Sequence, residues 1–239
     1  MDIEKYLEII VESGLRKRKS NLRFHTDTIF GGMDFDKKAV LDIGGGSGIF
    51  SFYAGAMGAS RVVCLEPGKE GSALGHYEKF MELYERFGMP DVHICRESLQ
   101  DYETQEKFDI IISYNSINHL DEVSCSRLLD SEHYWQNYRK IFDRIYQLAK
   151  DNASFVICDS SRYNVFPFLG LRNPFVPTIN WKIHQTPGTW KRLLKEAGFT
   201  EPETVWLSHD RLGIWGTNIL ASFLYNSCFC IRAKKTDSQ

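Results

Sequence analysis

The chain has no run approaching the roughly 18 consecutive apolar residues that a membrane span requires, because Arg, Lys, Asp or Glu interrupts every apolar stretch. No membrane segment is expected. It also lacks any Cys-x-x-Cys pair: of its six cysteines, Cys64, Cys95, Cys158, Cys228 and Cys230 fall in apolar, strand-like runs and Cys125 in a polar one. Metal-binding cysteines come as paired ligands, so these read as reduced, buried thiols, and no metal site is expected. Charge of one sign is not in excess either, with 29 Lys and Arg against 31 Asp and Glu. A nucleic-acid binder usually carries a basic domain or stripe, so nucleic acid is disfavoured as a partner. The single basic run, Arg16-Lys17-Arg18-Lys19, reads as the solvated end of a helix. Residues Met1 to Glu12 lack the basic and apolar regions of an export signal, which points to a cytoplasmic chain.

What is present is a rhythm. Hydrophobic residues at 43% suffice for a sizeable core. From Lys38 onward short β-rich runs alternate with amphipathic helical stretches, the pattern of a parallel sheet with crossover helices on both faces. The strands expected are Ala39 to Ile43, Arg61 to Glu66, Val92 to Cys95, Phe108 to Ser113 and Ser154 to Asp159. The helices expected between them are Phe50 to Met57, Ala73 to Phe87, closed by Gly88-Met89-Pro90, and Tyr134 to Ala149. Residues Ser160 to Pro187 then break the rhythm with aromatics, four of the seven prolines and little periodicity, and read as a lid-like loop. The chain should end with a helix over Thr189 to Ala197 stopped by Gly198, a strand over Glu203 to Leu207, a helical stretch near Leu212 to Leu224 and a strand over Cys228 to Ala233. Residues 1–37 read as an N-terminal helix, Met1 to Gly14, and a connecting segment, Ser20 to Lys37, ahead of one domain over 38–239.

Val40-Leu41-Asp42-Ile43-Gly44-Gly45-Gly46-Ser47-Gly48 joins the first strand to the first helix, where doubly wound sheets bind nucleotides. Glycines at 44, 46 and 48 permit a tight turn and let a ligand approach the main chain. A dinucleotide-binding turn spaces its glycines G-x-G-x-x-G, which would put a glycine at Ile49. Here the spacing is Asp-x-Gly-x-Gly-x-Gly. A carboxylate two residues ahead of the first glycine can accept hydrogen bonds from an ammonium, a group that nicotinamide dinucleotides lack. Glu66, at the end of the second strand, can accept bonds from two ribose hydroxyls.

On these residues the block from Val40 to about Leu120 resembles the class I, Rossmann-like S-adenosylmethionine-dependent methyltransferases. The resemblance implies a mostly parallel seven-stranded sheet whose last strand is reversed, and S-adenosylmethionine as cofactor. It implies that Asp42, Gly44, Gly45, Gly46, Ser47, Gly48, Glu66 and the neighbouring Pro67 hold the amino acid and ribose. It further implies that Ser98 and Leu99 border the adenine, with Ser98 and Asp101 competing for the usual acidic position. Ser113, Tyr114 and Asn115 would line the methyl-transfer site. Where enzymes that methylate exocyclic amino groups carry an Asn-Pro-Pro-Tyr type motif, this chain has Ser113-Tyr114-Asn115-Ser116, which argues against that activity.

Because the sulfonium makes the methyl electrophilic, the protein chiefly has to align the nucleophile and exclude water, and a base helps only a hydroxyl acceptor. His119, just past the fourth strand, is one candidate base, its other reading being a histidine packed at a helix start. His184, at the end of the lid-like segment, is the second, its other reading being a surface histidine. Tyr163, Phe166, Phe168, Phe175 and Trp181 are either an apolar acceptor pocket or packing for the lid. His209-Asp210 has no companion to define a role. A small-molecule acceptor is the expectation; a protein or RNA methyltransferase and a non-catalytic cofactor-binding module are the alternatives.

Overall fold

The computed structural model describes residues 2–68, 75–207 and 217–236. Seven strands form one sheet: β1 (Ala39–Ile43), β2 (Arg61–Leu65), β3 (Val92–Cys95), β4 (Phe108–Tyr114), β5 (Ala149–Ser160), β6 (Phe199–Leu207) and β7 (Cys228–Lys235). Their spatial order is β3-β2-β1-β4-β5-β7-β6. The first five run parallel, and β7 lies antiparallel between β5 and β6. The expected α/β class, doubly wound with a reversed last strand, is the fold observed.

Side-chain alternation distributes the strands' apolar residues to two faces. Leu41, Ile43, Ile111, Phe155 and Ile157 face α6 (Glu132–Leu148) and α8 (Pro187–Glu196), which add Tyr138, Phe142, Ile145 and Trp190 to that core. Val40, Val62, Ile112 and Val156 face the other way, onto α1 (Ile3–Glu12), α2 (Lys19–Phe30), α3 (Ile49–Ala56) and α4 (His76–Phe87). Asp42 shares a face with Val40 and is therefore aimed at α3. Helix ends follow local chemistry. Gly88, at φ 60°, closes α4 with its N–H on the Tyr84 carbonyl, and Gly198, at φ 103°, follows α8.

Several boundaries differ from expectation. The connecting segment contains α2, whose buried residues Leu22, Thr26, Ile29 and Phe30 make an apolar stripe only if a threonine is counted in it. Strand β5 begins at Ala149 and β6 at Phe199, both earlier than propensity suggests, because pairing with Phe108 and Lys235 extends them. A 3-10 turn at Ile117–His119 and a short helix, α5 (Glu122–Ser126), follow β4. The segment after β5 contains α7 (Val165–Phe168) and a 3-10 turn at Trp181–Ile183. Buried Asn164 and Asn173 fasten it to the end of α9 (Ile219–Leu224) and the connection to β7: Asn164 donates to the Phe223 carbonyl at 2.9 Å and Asn173 to the Tyr225 carbonyl at 2.7 Å. His209-Asp210 and the beginning of the expected helix at Leu212 lie outside the described residues. Among the described residues no helix is long and apolar enough to cross a membrane.

Candidate active site at the carboxyl edge of the sheet

Strand order reverses between β1 and β4, since β2 follows β1 on one side and β4 lies on the other, and this leaves a crevice at the strands' carboxyl ends. A cavity of about 540 Å³ occupies it, within the range of small-molecule sites. From the β1 turn it takes Ile43 and Gly44, from the end of β2 Glu66, Pro67 and Gly68, and from the loop after β3 Ser98, Leu99 and Gln100. Asn115, Ser116 and His119 close it from the β4 side.

The glycine turn is dictated by close packing. Gly44 sits at φ 64°, and a Cβ there would fall 2.5 Å from the Ser116 Cβ. Ser116 donates its hydroxyl to the Ile43 carbonyl and accepts from Ser113, so the β1 and β4 turns are stapled together. At Gly48 the occupant of the Cβ position is Phe80, 2.5 Å away. At these two positions the glycines make room for protein neighbours. Of the turn's glycines, Gly44 is the one that lines the cavity.

Asp42 and Glu66 behave differently. Asp42 is buried beneath the turn: its Oδ2 accepts from the Ser51 hydroxyl at 2.7 Å, and its Oδ1, also buried, has no partner. Burial, reinforced by the charge of Glu66, pushes this carboxyl up to about 6 against the opposing Ser51 bond. Glu66 lines the cavity. Its Oε2 accepts from the Gly46 N–H at 2.9 Å and its Oε1 from the Gly68 N–H at 3.2 Å, which fixes the carboxylate across the mouth of the turn with lone pairs to spare. Gly45, Ser47 and Gly48 complete the turn without lining the cavity.

On the far side Ser98 donates to the Asp101 carboxylate at 2.7 Å, and it is Ser98 and Leu99, rather than Asp101, that face the cavity. Of the three residues expected after the fourth strand, Asn115 lines the cavity with a left-handed φ of 51°. Ser113 is buried on Ser116, and Tyr114 packs its ring 4.5 Å from that of Phe50 in the opposite core. Both still belong to β4, so the sheet holds their side chains on its faces, whereas Asn115 is the first residue free to turn.

His119 stands at the rim, its Nδ1 2.6 Å from Glu122 Oε1. A carboxylate only accepts, so Nδ1 is the donor of this bond and Nε2 is left as the ring nitrogen not engaged by Glu122. His184 is elsewhere: it is buried, with Nδ1 2.9 Å from Asp159 Oδ1, and it is absent from the cavity wall. The aromatics of the lid-like segment line no part of this cavity. Phe166 meets Phe175 edge to face, Phe168 is exposed, and Tyr163 borders a separate apolar cavity. Sequence reasoning passed over His76, Ser116 and Gln100. Ser116 and Gln100 reach Ile43 and Leu120, distant in the chain, and His76, 3.7 Å from Glu66 Oε2, gives no motif.

A methyltransferase-domain family model matches residues 16–201, most of the chain and all of the crevice just described. The chain belongs to the methyltransferase-domain family. Solved structures agree on the fold of this chain at low identity. A chain of the complex between the Haloferax volcanii Trm112 methyltransferase activator and a methyltransferase has a TM-score of 0.63 at 11% identity, covering 97% of this chain and 95% of that one. The N-methyltransferase NodS of Bradyrhizobium japonicum gives 0.58 at 13% identity, covering 90% and 96%. An S-adenosylmethionine-dependent methyltransferase of Aquifex aeolicus gives 0.57 at 14%, covering 87% and 92%. Among curated relatives, the histone-arginine methyltransferase CARMER of Drosophila mojavensis is 35% identical over 82 residues, which is 34% of this chain and 14% of that protein. The chain thus spans about one seventh of the length of the curated relatives it matches.

Proposed function

We propose that this methyltransferase uses S-adenosylmethionine to methylate an oxygen or nitrogen of a small molecule. The reading is carried by the convergence of Glu66, Gly44, Ser98, Leu99 and Asn115 on one cavity, with His119 at its rim. The residues fit the cofactor: a fixed carboxylate suits a ribose diol, Leu99 an adenine face, and the unpartnered Asp42 Oδ1 beneath the turn supplies negative potential toward an ammonium. Bound there, the cofactor supplies an electrophilic methyl on a sulfonium. The protein's own part is to hold the acceptor in line and exclude water, and His119 Nε2, with its partner nitrogen tied to Glu122, receives a proton where the acceptor is a hydroxyl.

A protein substrate is the second reading, favoured by the 82-residue likeness to CARMER. The near balance of charge and the crevice closed by Asn115, Ser116 and His119 support the small molecule instead.

Titration calorimetry tests the proposal. S-adenosylmethionine and S-adenosylhomocysteine are expected to bind and NAD to give no heat, and Glu66→Ala should weaken both by about 1.5–3 kcal/mol, the loss of charge-assisted hydrogen bonds. Binding of NAD in preference to either sulfur ligand would refute it.

A further inference from the structure

Apolar surface is not spread evenly over this molecule. Among the described residues twelve large apolar side chains are exposed, and eight of them stand on two short stretches, the segment after β5 and α9. Phe168, Leu169, Leu171 and Phe175 are each more than half exposed, Phe168 at 83%, and α9 adds Ile219, Leu220 and Leu224. The two stretches form one surface. Buried Asn164 and Asn173 bind the carbonyls of Phe223 and Tyr225, the Phe175 ring lies 4.7 Å from that of Tyr225, and Tyr163, Ile219 and Leu220 line one cavity of about 440 Å³. At its outer end the chain reverses: the Leu171 N–H bonds the Phe166 carbonyl at 2.8 Å and Gly170 takes a φ of 70°. Phe168 and Leu169 therefore stand at the apex of a tight turn.

Charge is sorted as sharply. Acids make up 31 of the 239 residues, yet none occurs from Ser160 to Lys195 or from Thr217 to Thr236. The segment after β5 carries Arg162, Arg172 and Lys182 instead. Arg162 donates to the Lys182 carbonyl at 3.3 Å and Arg172 to the Pro177 carbonyl at 2.9 Å, which leaves their charge uncompensated. Among the described residues none of these three cations pairs with a carboxylate. A chain of nearly balanced total charge thus turns outward one face that is apolar at its apex and only positive around it. The face belongs to the carboxyl edge of the sheet, the edge on which the cofactor crevice opens, since the segment leaves the end of β5 and α9 leads into the antiparallel β7.

We propose that residues 162–175 and α9 form a docking surface for an anionic lipid membrane. Clustered exposed apolar side chains mark a surface that is covered in use, and here the charge decides what covers it. A second copy meeting this face through the same face would set cations against cations. An anionic bilayer answers both properties at once: the apex led by Phe168 and Leu169 enters the boundary between headgroups and acyl chains, while Arg162, Arg172 and Lys182 stay at the lipid phosphates. Such an apex needs no pocket of matching shape in its partner. The protein then rests on the surface without spanning it.

Flotation with two kinds of vesicle tests this: phosphatidylcholine alone, and phosphatidylcholine with about a third of its lipid replaced by phosphatidylglycerol. The protein should bind the charged vesicles at least about tenfold more tightly than the neutral ones, and salt at about 0.5 M should weaken that binding severalfold. Phe168→Ser combined with Leu169→Ser should lower the affinity about tenfold or more, and Arg172→Ala about fivefold. Leu129→Ser, at an exposed apolar position outside the face, should leave it unchanged. The replaced side chains are exposed, so every variant should keep the wild-type thermal midpoint and near-ultraviolet spectrum. Failure to float with either vesicle, equal binding to both, or wild-type flotation of the double variant overturns the proposal. A dimer in light scattering that the double variant dissolves would overturn it in favour of a second copy.

Discussion

Asp42 shows how one carboxylate serves a turn it does not line. Burial has raised it to about 6, and the groups around it, Glu66, Cys64 and Tyr6, offer no cation; burial also pushes the Cys64 thiol and Tyr6 phenol upward, so both stay neutral. Because the folded state holds this proton more tightly than the unfolded one, stability falls as pH rises from the ordinary carboxylate range near 4 to about 6, and is level above. A ligand ammonium above the turn favours the ionised form and so expels the proton. Affinity for S-adenosylhomocysteine should therefore rise severalfold between pH 5 and pH 7, and calorimetry on Asp42→Asn should give a flatter profile; an unchanged slope in that variant would show that Asp42 does not sense the ligand. Asp42 and Glu66 were legible because an acid, three glycines and a second acid at fixed spacing describe a single turn. Ser116, which makes Gly44 obligatory, was not, since the two meet only when β1 and β4 become neighbours.

At the scale of elements, α2 is held by charge at its end as well as by Leu22, Ile29 and Phe30 in the core. Arg232, on β7, donates to the carbonyls of Thr28, Ile29 and Gly31 at 2.6, 3.0 and 3.1 Å. Those carbonyls have no partner within the helix, and a guanidinium there also complements the helix dipole. Arg232→Met keeps much of the stem's packing and removes the fork, so it should destabilise the protein by about 1–3 kcal/mol in urea unfolding, with the loss appearing as faster amide exchange in residues 19–30. Wild-type exchange in α2 together with faster exchange elsewhere would contradict this account. The sequence hides α2 because its buried stripe, Leu22, Thr26, Ile29 and Phe30, contains a threonine, and the residue that anchors its end lies about 200 positions away. Strongly amphipathic α6, with Trp135, Tyr138, Ile141, Phe142, Ile145 and Leu148 on one stripe, was visible for the opposite reason.

For the molecule as a whole, the sheet is the common wall of two cores, and the N-terminal helices are built into one of them. Tyr6, Ile10, Leu22 and Phe30 belong to the same buried cluster as Val40, Val62 and Ile112, and Tyr6 donates to the Ile49 carbonyl at the start of α3. The crevice draws on β1, β2 and β4 at once, so a ligand that fills it is coupled to both cores. Residues 1–37 and the rest of the chain should then unfold in one transition. S-adenosylhomocysteine at 100 times its dissociation constant should raise the stability of that transition by about 2.7 kcal/mol, or roughly 5–11 °C in midpoint for a chain of this size. NAD at the same concentration should leave it where it was. Calorimetric scanning that resolves two transitions, with only one moved by ligand, would mean that α1 and α2 fold independently of the crevice. Coincident movement of near-ultraviolet and far-ultraviolet signals would place the ligand's effect on the whole sheet.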